Sequence, residues 1–415
     1  MHPEFEAFAT RIVHTVGNDT GPIQPPLVGS AAYGYESAEE AEGIFAGEVA
    51  KPLYSRVSNP TNARLEKALA LMEEGEGAIA TASGMGALAM VMTALLQSGD
   101  EVLCIGGFFG GTYTLVTQTL KRFGIKSSFC EVDDFETIEA KLQAGVAMVL
   151  FESVGNPSLT LPDIPRILEL CNRYETLSVV DNTATPLLLR PLTLGADIVF
   201  HSTTKNISGF AGPLGGAAVF RAVDASNDKL LADKYASLHK FVKKAGKKAF
   251  TAILKKRALR DMGMTASAFS SYVTLLGLET LPLRIARIND SVEKVAKALD
   301  ARLPEGYRVN HPCLSHSPDH ARYRTLFPRG CGPLLTIECG DKARAFAMLN
   351  RLDLAVQTAN IGDNRTLALH MASTIYSDFS EEERVVLGVT EGLVRVSIGL
   401  EEPEAIVEDF VRAAG

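Results

Sequence analysis

Lys205 closes the pentapeptide His201-Ser202-Thr203-Thr204-Lys205, directly after the apolar run Asp197-Ile198-Val199-Phe200. A lysine just past a buried strand can lose its proton to desolvation, and the free amine can condense with a carbonyl as a Schiff base. The hydroxyls of Ser202 and Thr204 are spaced to turn the same way, as a phosphate cup requires. A lone lysine in this setting is more often a solvated loop residue, so the other polar positions decide. Asp181, in Val179-Val180-Asp181-Asn182-Thr183, sets a carboxylate after two buried valines. It reads either as a helix N-cap or as an acid that keeps a pyridinium nitrogen protonated. Ser83-Gly84-Met85-Gly86 opens an apolar helix, where small residues let backbone amides approach a phosphate. A reactive lysine, an acid and a phosphate cup are together what a pyridoxal phosphate site needs.

Two arginines belong to the same inquiry. Arg395 interrupts the strand pattern Leu393-Val394-Arg395-Val396-Ser397, and a buried arginine needs an anionic partner. A substrate α-carboxylate and a structural acid are both open. Arg56 beside Tyr54 offers a guanidinium and a phenol to one anion, or is an ordinary surface loop.

The elements that must position these groups read as repeated βα units. Strands are expected at Glu101–Ile105, Ser128–Val132, Met148–Phe151, Leu177–Val180 and Asp197–Phe200. Helices are expected at Thr112–Phe123, Phe135–Gln143 and Ile164–Tyr174. Such a pattern means an α/β fold with a mostly parallel sheet covered on both faces. Ligands then sit beyond the carboxyl ends of the strands, a rule that picks out Glu152, Asp181 and Lys205.

Residues 1–60 are rich in Gly and Pro and poorly periodic, and Gly21–Pro26 excludes a helix. They are expected to form an arm reaching the neighbouring protomer. A helix over Arg64–Met72, capped by Asn62, opens a large domain over 61–265. Within it, Asp224–Arg260 is a charged insertion whose lysines read as a solvated face. Helix Ser267–Leu281 leads into a smaller α+β domain over 266–415.

A chain of 415 residues, 46% hydrophobic and 22% charged, is a soluble globular protein of more than one domain. The formal charge of −8 argues against nucleic acid as a partner. No apolar run approaches the roughly 18 residues of a membrane span, and Met1-His2-Pro3-Glu4 shows no leader pattern, so a cytoplasmic protein is expected. Six cysteines without a C-x-x-C pair read as reduced thiols, with no metal site.

These residues, in order over nearly the whole chain, resemble the cystathionine γ-synthase-like (Cys/Met metabolism) pyridoxal-phosphate enzymes of fold type I. The resemblance rests on Tyr54-Ser55-Arg56 with Asn59-Pro60-Thr61, Ser83-Gly84-Met85, Gly110–Tyr113, Glu152-Ser153 with Asn156-Pro157, Asp181-Asn182-Thr183, Ser202–Lys205, Gly277–Arg284 and Arg395–Glu401. It implies a mostly parallel, seven-stranded type of sheet and pyridoxal 5′-phosphate on Lys205, with Asp181 on the ring nitrogen and Thr183 nearby. The phosphate would be bound by Gly84, Met85, Ser202 and Thr204, and by Tyr54 and Arg56 from the neighbouring protomer of a homotetramer. Asn156, Asn360 and Arg395 would hold the substrate carboxylate or cofactor edge.

Ala359-Asn360-Ile361-Gly362-Asp363 is most similar to O-acetylhomoserine sulfhydrylases, which implies γ-substitution on an O-acylated homoserine by sulfide or a thiol. Cystathionine γ-synthase or γ-lyase chemistry is the alternative. Gly111 stands where methionine γ-lyases have a reactive cysteine, which weighs against that branch. A nicotinamide dehydrogenase is disfavoured because no G-x-G-x-x-G follows the first strand.

Departures bear on substrate more than cofactor. Phe109 replaces the usual stacking tyrosine, Val154 a proline, and Asn206 and Phe210 a tyrosine and a histidine; the Asp181–Pro186 segment is one residue short. Phe109 keeps the stack but loses a proton-transfer group worth about 10²–10⁴ in rate; Tyr113 is the other nearby phenol. The expected leaving group is therefore one that departs without a proton, such as acetate. Phe109→Tyr should change thioether cleavage far more than acetate release in steady-state assays; equal effects would contradict this reading.

Overall fold

The computed structural model describes residues 3–17 and 21–415; Met1-His2, where the leaderless start was read, lies outside them. The chain divides into two compact units. One comprises 1–96, 198–204 and 212–279, the other 97–197, 205–211 and 280–415. In chain order the first strands are β1 (Gly77–Thr81), β2 (Glu101–Ile105), β3 (Lys126–Cys130), β4 (Met148–Glu152), β5 (Leu177–Asp181), β6 (Ile198–His201) and β7 (Gly216–Phe220).

In the first unit β7 pairs antiparallel with both β1 and β6. In the second, β5, β4, β2 and β3 lie side by side, all parallel. Every residue of β4 is buried, as a strand covered on both faces requires. The expected α/β character, mostly parallel and with seven strands between the two units, is thus present. The second unit also holds a five-stranded sheet of β8 (Arg308–Asn310), β9 (Leu334–Glu338), β10 (Val356–Gln357), β11 (Leu367–His370) and β12 (Leu393–Ser397). Its order is β10-β11-β12-β9-β8, with β12 antiparallel to both neighbours.

Several local expectations change. The first sixty residues are not wholly irregular: helices form at Pro3–Val16 and Ala38–Ala46. Ile12 and Val16 are buried, and the first helix packs on the helix Pro60–Glu73. Gly21–Pro26 stays outside any helix. Strands β1 and β7 escaped the pattern because Gly-Ala-Ile-Ala-Thr and Gly-Ala-Ala-Val-Phe are mostly small residues. Strand β3 begins two residues early, held in register by Cys104 opposite Phe129. The single helix expected at 112–123 is a short α-helical turn at Gly110–Thr114, a wider π turn and a 3₁₀ turn.

The helix expected to stop at Leu281 instead runs over Ala268–Arg302, through Pro282. Proline costs it one backbone bond. The buried stripe Leu278, Leu281, Ile285, Ile288 and Val292 continues across the break and offsets that loss. In the 224–260 insertion the lysines at 243, 244, 247 and 248 are exposed as expected. Val242, Phe250, Ile253 and Leu254 are buried, and the Phe250 ring lies 5.8 Å from that of Phe220 on β7.

Asn59, not Asn62, caps the helix Pro60–Glu73. Its side-chain oxygen accepts from the Thr61 and Asn62 amides at 2.9 and 3.3 Å. The same side chain donates to the Val28 carbonyl at 2.9 Å, tying the preceding segment to the helix start. Asn59→Ala should cost about 2 kcal/mol, the upper end for a lost cap, read from the denaturation midpoint. A loss under about 0.5 kcal/mol would contradict the dual role.

Candidate active site

In the second unit, parallel pairing sets Glu152 opposite Asp181 at the carboxyl ends of β4 and β5. Asp181 accepts from the Thr183 amide at 2.9 Å, which fixes its carboxylate as the chain leaves the strand. Glu152 is buried; its two oxygens accept from the backbone amides of Phe109 and Asn156, both at 2.8 Å. Burial, reinforced by the charge of Asp181, pushes the Glu152 carboxyl well above its usual range, while the two amides and Arg395 act in the opposite sense.

Lys205, Asn360, Arg395 and Asn156 form one hydrogen-bonded chain. The Lys205 amine donates to Asn360 Oδ1 at 2.6 Å. Arg395, 3% exposed in the middle of β12, donates to the Asn360 carbonyl at 3.3 Å and to Asn156 Oδ1 at 2.9 Å. No carboxylate is hydrogen-bonded to Arg395 among the described residues. Burial, then the nearby Arg395 charge, lowers Lys205 from 10.5 to about 8. Burial likewise lowers Arg395 to about 10, so it remains charged at neutral pH. A carboxylate delivered to Arg395 would therefore meet a fixed cation, and the carbon beside it a lysine that readily gives up its proton.

In the first unit Gly84 and Ser202 meet closely. A Cβ on Gly84 would sit 2.7 Å from that of Ser202, so only glycine allows this approach. The helix Gly84–Leu95 starts here, capped by Ser83, whose hydroxyl accepts from the Gly86 amide at 3.0 Å. The amides of Gly84 and Met85 lie in this first turn, as a phosphate cup needs. Thr204 is bonded to Gly215, its hydroxyl donating to the carbonyl at 3.1 Å and accepting from the amide at 3.0 Å. Tyr54 and Arg56 are exposed in the same unit. Arg56 lies 5.7 Å from the Tyr54 ring centre and donates to the Arg260 carbonyl.

The residues fit pyridoxal phosphate on two counts. The Asn360 side-chain nitrogen is buried without a hydrogen-bond partner among the described residues, beside the Lys205 amine. The Gly84 turn is a cradle that any side chain would fill. The family described as Cys/Met metabolism PLP-dependent enzyme matches residues 9–414. The chain belongs to that family. Its cofactor is accordingly pyridoxal phosphate.

The homocysteine synthase of Schizosaccharomyces pombe is 33% identical over all of this chain and 99% of its own length. The O-acetyl-L-homoserine sulfhydrylase of Corynebacterium glutamicum is 36% identical over 97% of this chain and 95% of its own. A solved Campylobacter jejuni protein named O-acetylhomoserine (thiol)-lyase superposes with a TM-score of 0.92. It is 32% identical, covers 98% of this chain and 99% of its own, and carries N′-pyridoxyl-lysine-5′-monophosphate at its position 205.

Sequence reasoning missed two supporting residues. Arg284, buried, donates to the Asn206 and Ile207 carbonyls at 2.6 and 3.0 Å and so holds the segment after Lys205. Its signal was a charge on the apolar stripe beyond Pro282. Tyr376 had no signal at all. Tyr113, the other phenol near Phe109, bonds to Glu383 at 3.2 Å. Asn206 is buried and donates to the Thr183 carbonyl at 3.0 Å, and Val154 is buried.

Gly84→Ala should weaken pyridoxal phosphate binding to the apoenzyme about tenfold to a hundredfold, the worth of one hydrogen bond to a charged group. Equilibrium dialysis measures this; unchanged affinity would contradict the cradle.

Proposed function

We propose that this enzyme carries out γ-substitution on an O-acylated homoserine, O-acetylhomoserine above all, with sulfide or a thiol as nucleophile. The observation that carries the reading is the bonded run Lys205–Asn360–Arg395–Asn156. An amine with a lowered pKa, linked through Asn360 to a buried guanidinium that stays charged at neutral pH, suits an α-amino acid substrate. The names of the related enzymes support the γ-substituent.

Pyridoxal phosphate, when bound, supplies the electron sink for charge that develops at Cα. The chain supplies the rest. Arg395 and Asn156 hold the α-carboxylate, and so place Cα near Lys205. The Lys205 amine takes the Cα proton and then moves protons at Cβ. Asp181 holds the proton on the ring nitrogen, and the first turn of the helix Gly84–Leu95, with Ser202 and Thr204, binds the phosphate. The Cγ–O bond breaks, acetate leaves with the electron pair, and a new bond from sulfur to Cγ gives homocysteine from sulfide. Acetate needs no proton to leave, which suits Phe109 in place of a phenol. Tyr54 and Arg56 would complete the phosphate site of a neighbouring copy in a homotetramer.

Purified enzyme should convert O-acetylhomoserine and sulfide to homocysteine and acetate, and Lys205→Ala should abolish this. Cystathionine as the main product when cysteine is also supplied would make it a synthase. Dominant 2-oxobutanoate and ammonia would make it a lyase. Either outcome would overturn direct sulfhydrylation.

A further inference from the structure

The loop bearing Phe109 and the loop bearing Asn156 are held by the same two buried side chains. Glu152 accepts the amide hydrogens of Phe109 and Asn156, each at 2.8 Å. Tyr376 is fully buried, and its hydroxyl lies 3.1 Å from the carbonyl oxygens of both Phe108 and Asn156, sharing its one proton between them. The Phe108 carbonyl and the Phe109 amide belong to one peptide bond, so that plane is fixed from both edges. At Asn156 the amide and the carbonyl are both taken.

Glu152 and Tyr376 have no proposed contact with the substrate, yet the two residues they hold both belong to the site proposed above. Phe109 carries the ring expected to stack on the cofactor, and Asn156 Oδ1 orients Arg395. Behind Tyr376 lies a buried apolar wall of Met371, Leu387, Val389 and Leu393, with the Phe379 ring 5.3 Å away. Gly107 and Gly110 lie close against this wall; a Cβ at Gly110 would sit 3.3 Å from the Ile375 carbonyl.

We infer that Glu152 and Tyr376 are positioning residues, a two-point clamp that sets the Phe109 ring and the Asn156–Arg395 carboxylate receptor relative to each other. Buried carbonyl and amide groups demand partners, and supplying both loops from the same pair makes their spacing a fixed quantity. The receptor half of this inference rests on the function proposed above; the ring half rests on the cofactor alone.

Two variants of the holoenzyme test it. Tyr376→Phe removes one hydroxyl and keeps the ring. Glu152→Gln keeps the shape but turns one accepting oxygen into a donor. The visible circular dichroism of bound pyridoxal phosphate, recorded without substrate, should lose amplitude in both. KM for O-acetylhomoserine should rise with a smaller change in kcat, and kcat/KM should fall by up to about a hundredfold, the cost of a 1 Å misplacement. An altered dichroism spectrum with no turnover even in the wild type would retain the clamp and discard the substrate. A lowered melting temperature with unchanged dichroism and unchanged KM would overturn the clamp, leaving both residues purely structural. If Tyr376→Phe does not fold, Glu152→Gln decides by the same two readouts.

Discussion

A guanidinium buried in the centre of a β-sheet governs this molecule. Arg395 sits on β12 with antiparallel neighbours on both sides, and its hydrogen bonds go to uncharged oxygens of Asn156 and Asn360. Burying an ion is costly, and the nearby Glu152 carboxyl, which is not hydrogen-bonded to Arg395, offsets only part of that cost. The fold accepts that cost, which suits the role of carboxylate receptor proposed above. The same charge, added to burial, helps strip the proton from Lys205. In the function proposed above, binding and proton transfer both depend on that one placement.

The rest of the second unit serves that placement. Parallel strands deliver two carboxylates side by side, and burial separates their roles. Asp181 is held by an amide at its own strand end. Glu152, more deeply enclosed, takes two amides from loops that carry other parts of the site. Arg284 fixes the stretch beyond Lys205 from the side of a long helix. Each of these contacts removes freedom from a residue of the proposed site.

Much of this was legible in the sequence because it follows from periodicity and charge. Lys205, Asp181 and Glu152 stand out as polar residues just past apolar strands, and Arg395 as a cation inside one. Apart from Arg284, a charge on an apolar stripe, what escaped has no local signature. Tyr376 acts through its hydroxyl on two carbonyls far away in the chain, and a tyrosine in a turn looks like any other. Strands of small residues, β1 and β7, carry too little β-branched character to register. The helix through Pro282 is sustained by a tertiary stripe that outweighs the local rule. Asn59 and Asn62 have equal capping propensity, and only the fold chooses between them.

Burial and the charge of Arg395 make Lys205 an amine available near neutral pH. The direct measurement is the rate of labelling of Lys205 by an amine-reactive reagent in the apoenzyme, followed against pH by peptide mass spectrometry. Only the neutral amine reacts, so a lowered pKa moves the rise in rate to lower pH. A midpoint at about 8 is the predicted result. A midpoint near the ordinary lysine value of 10.5 would contradict the account.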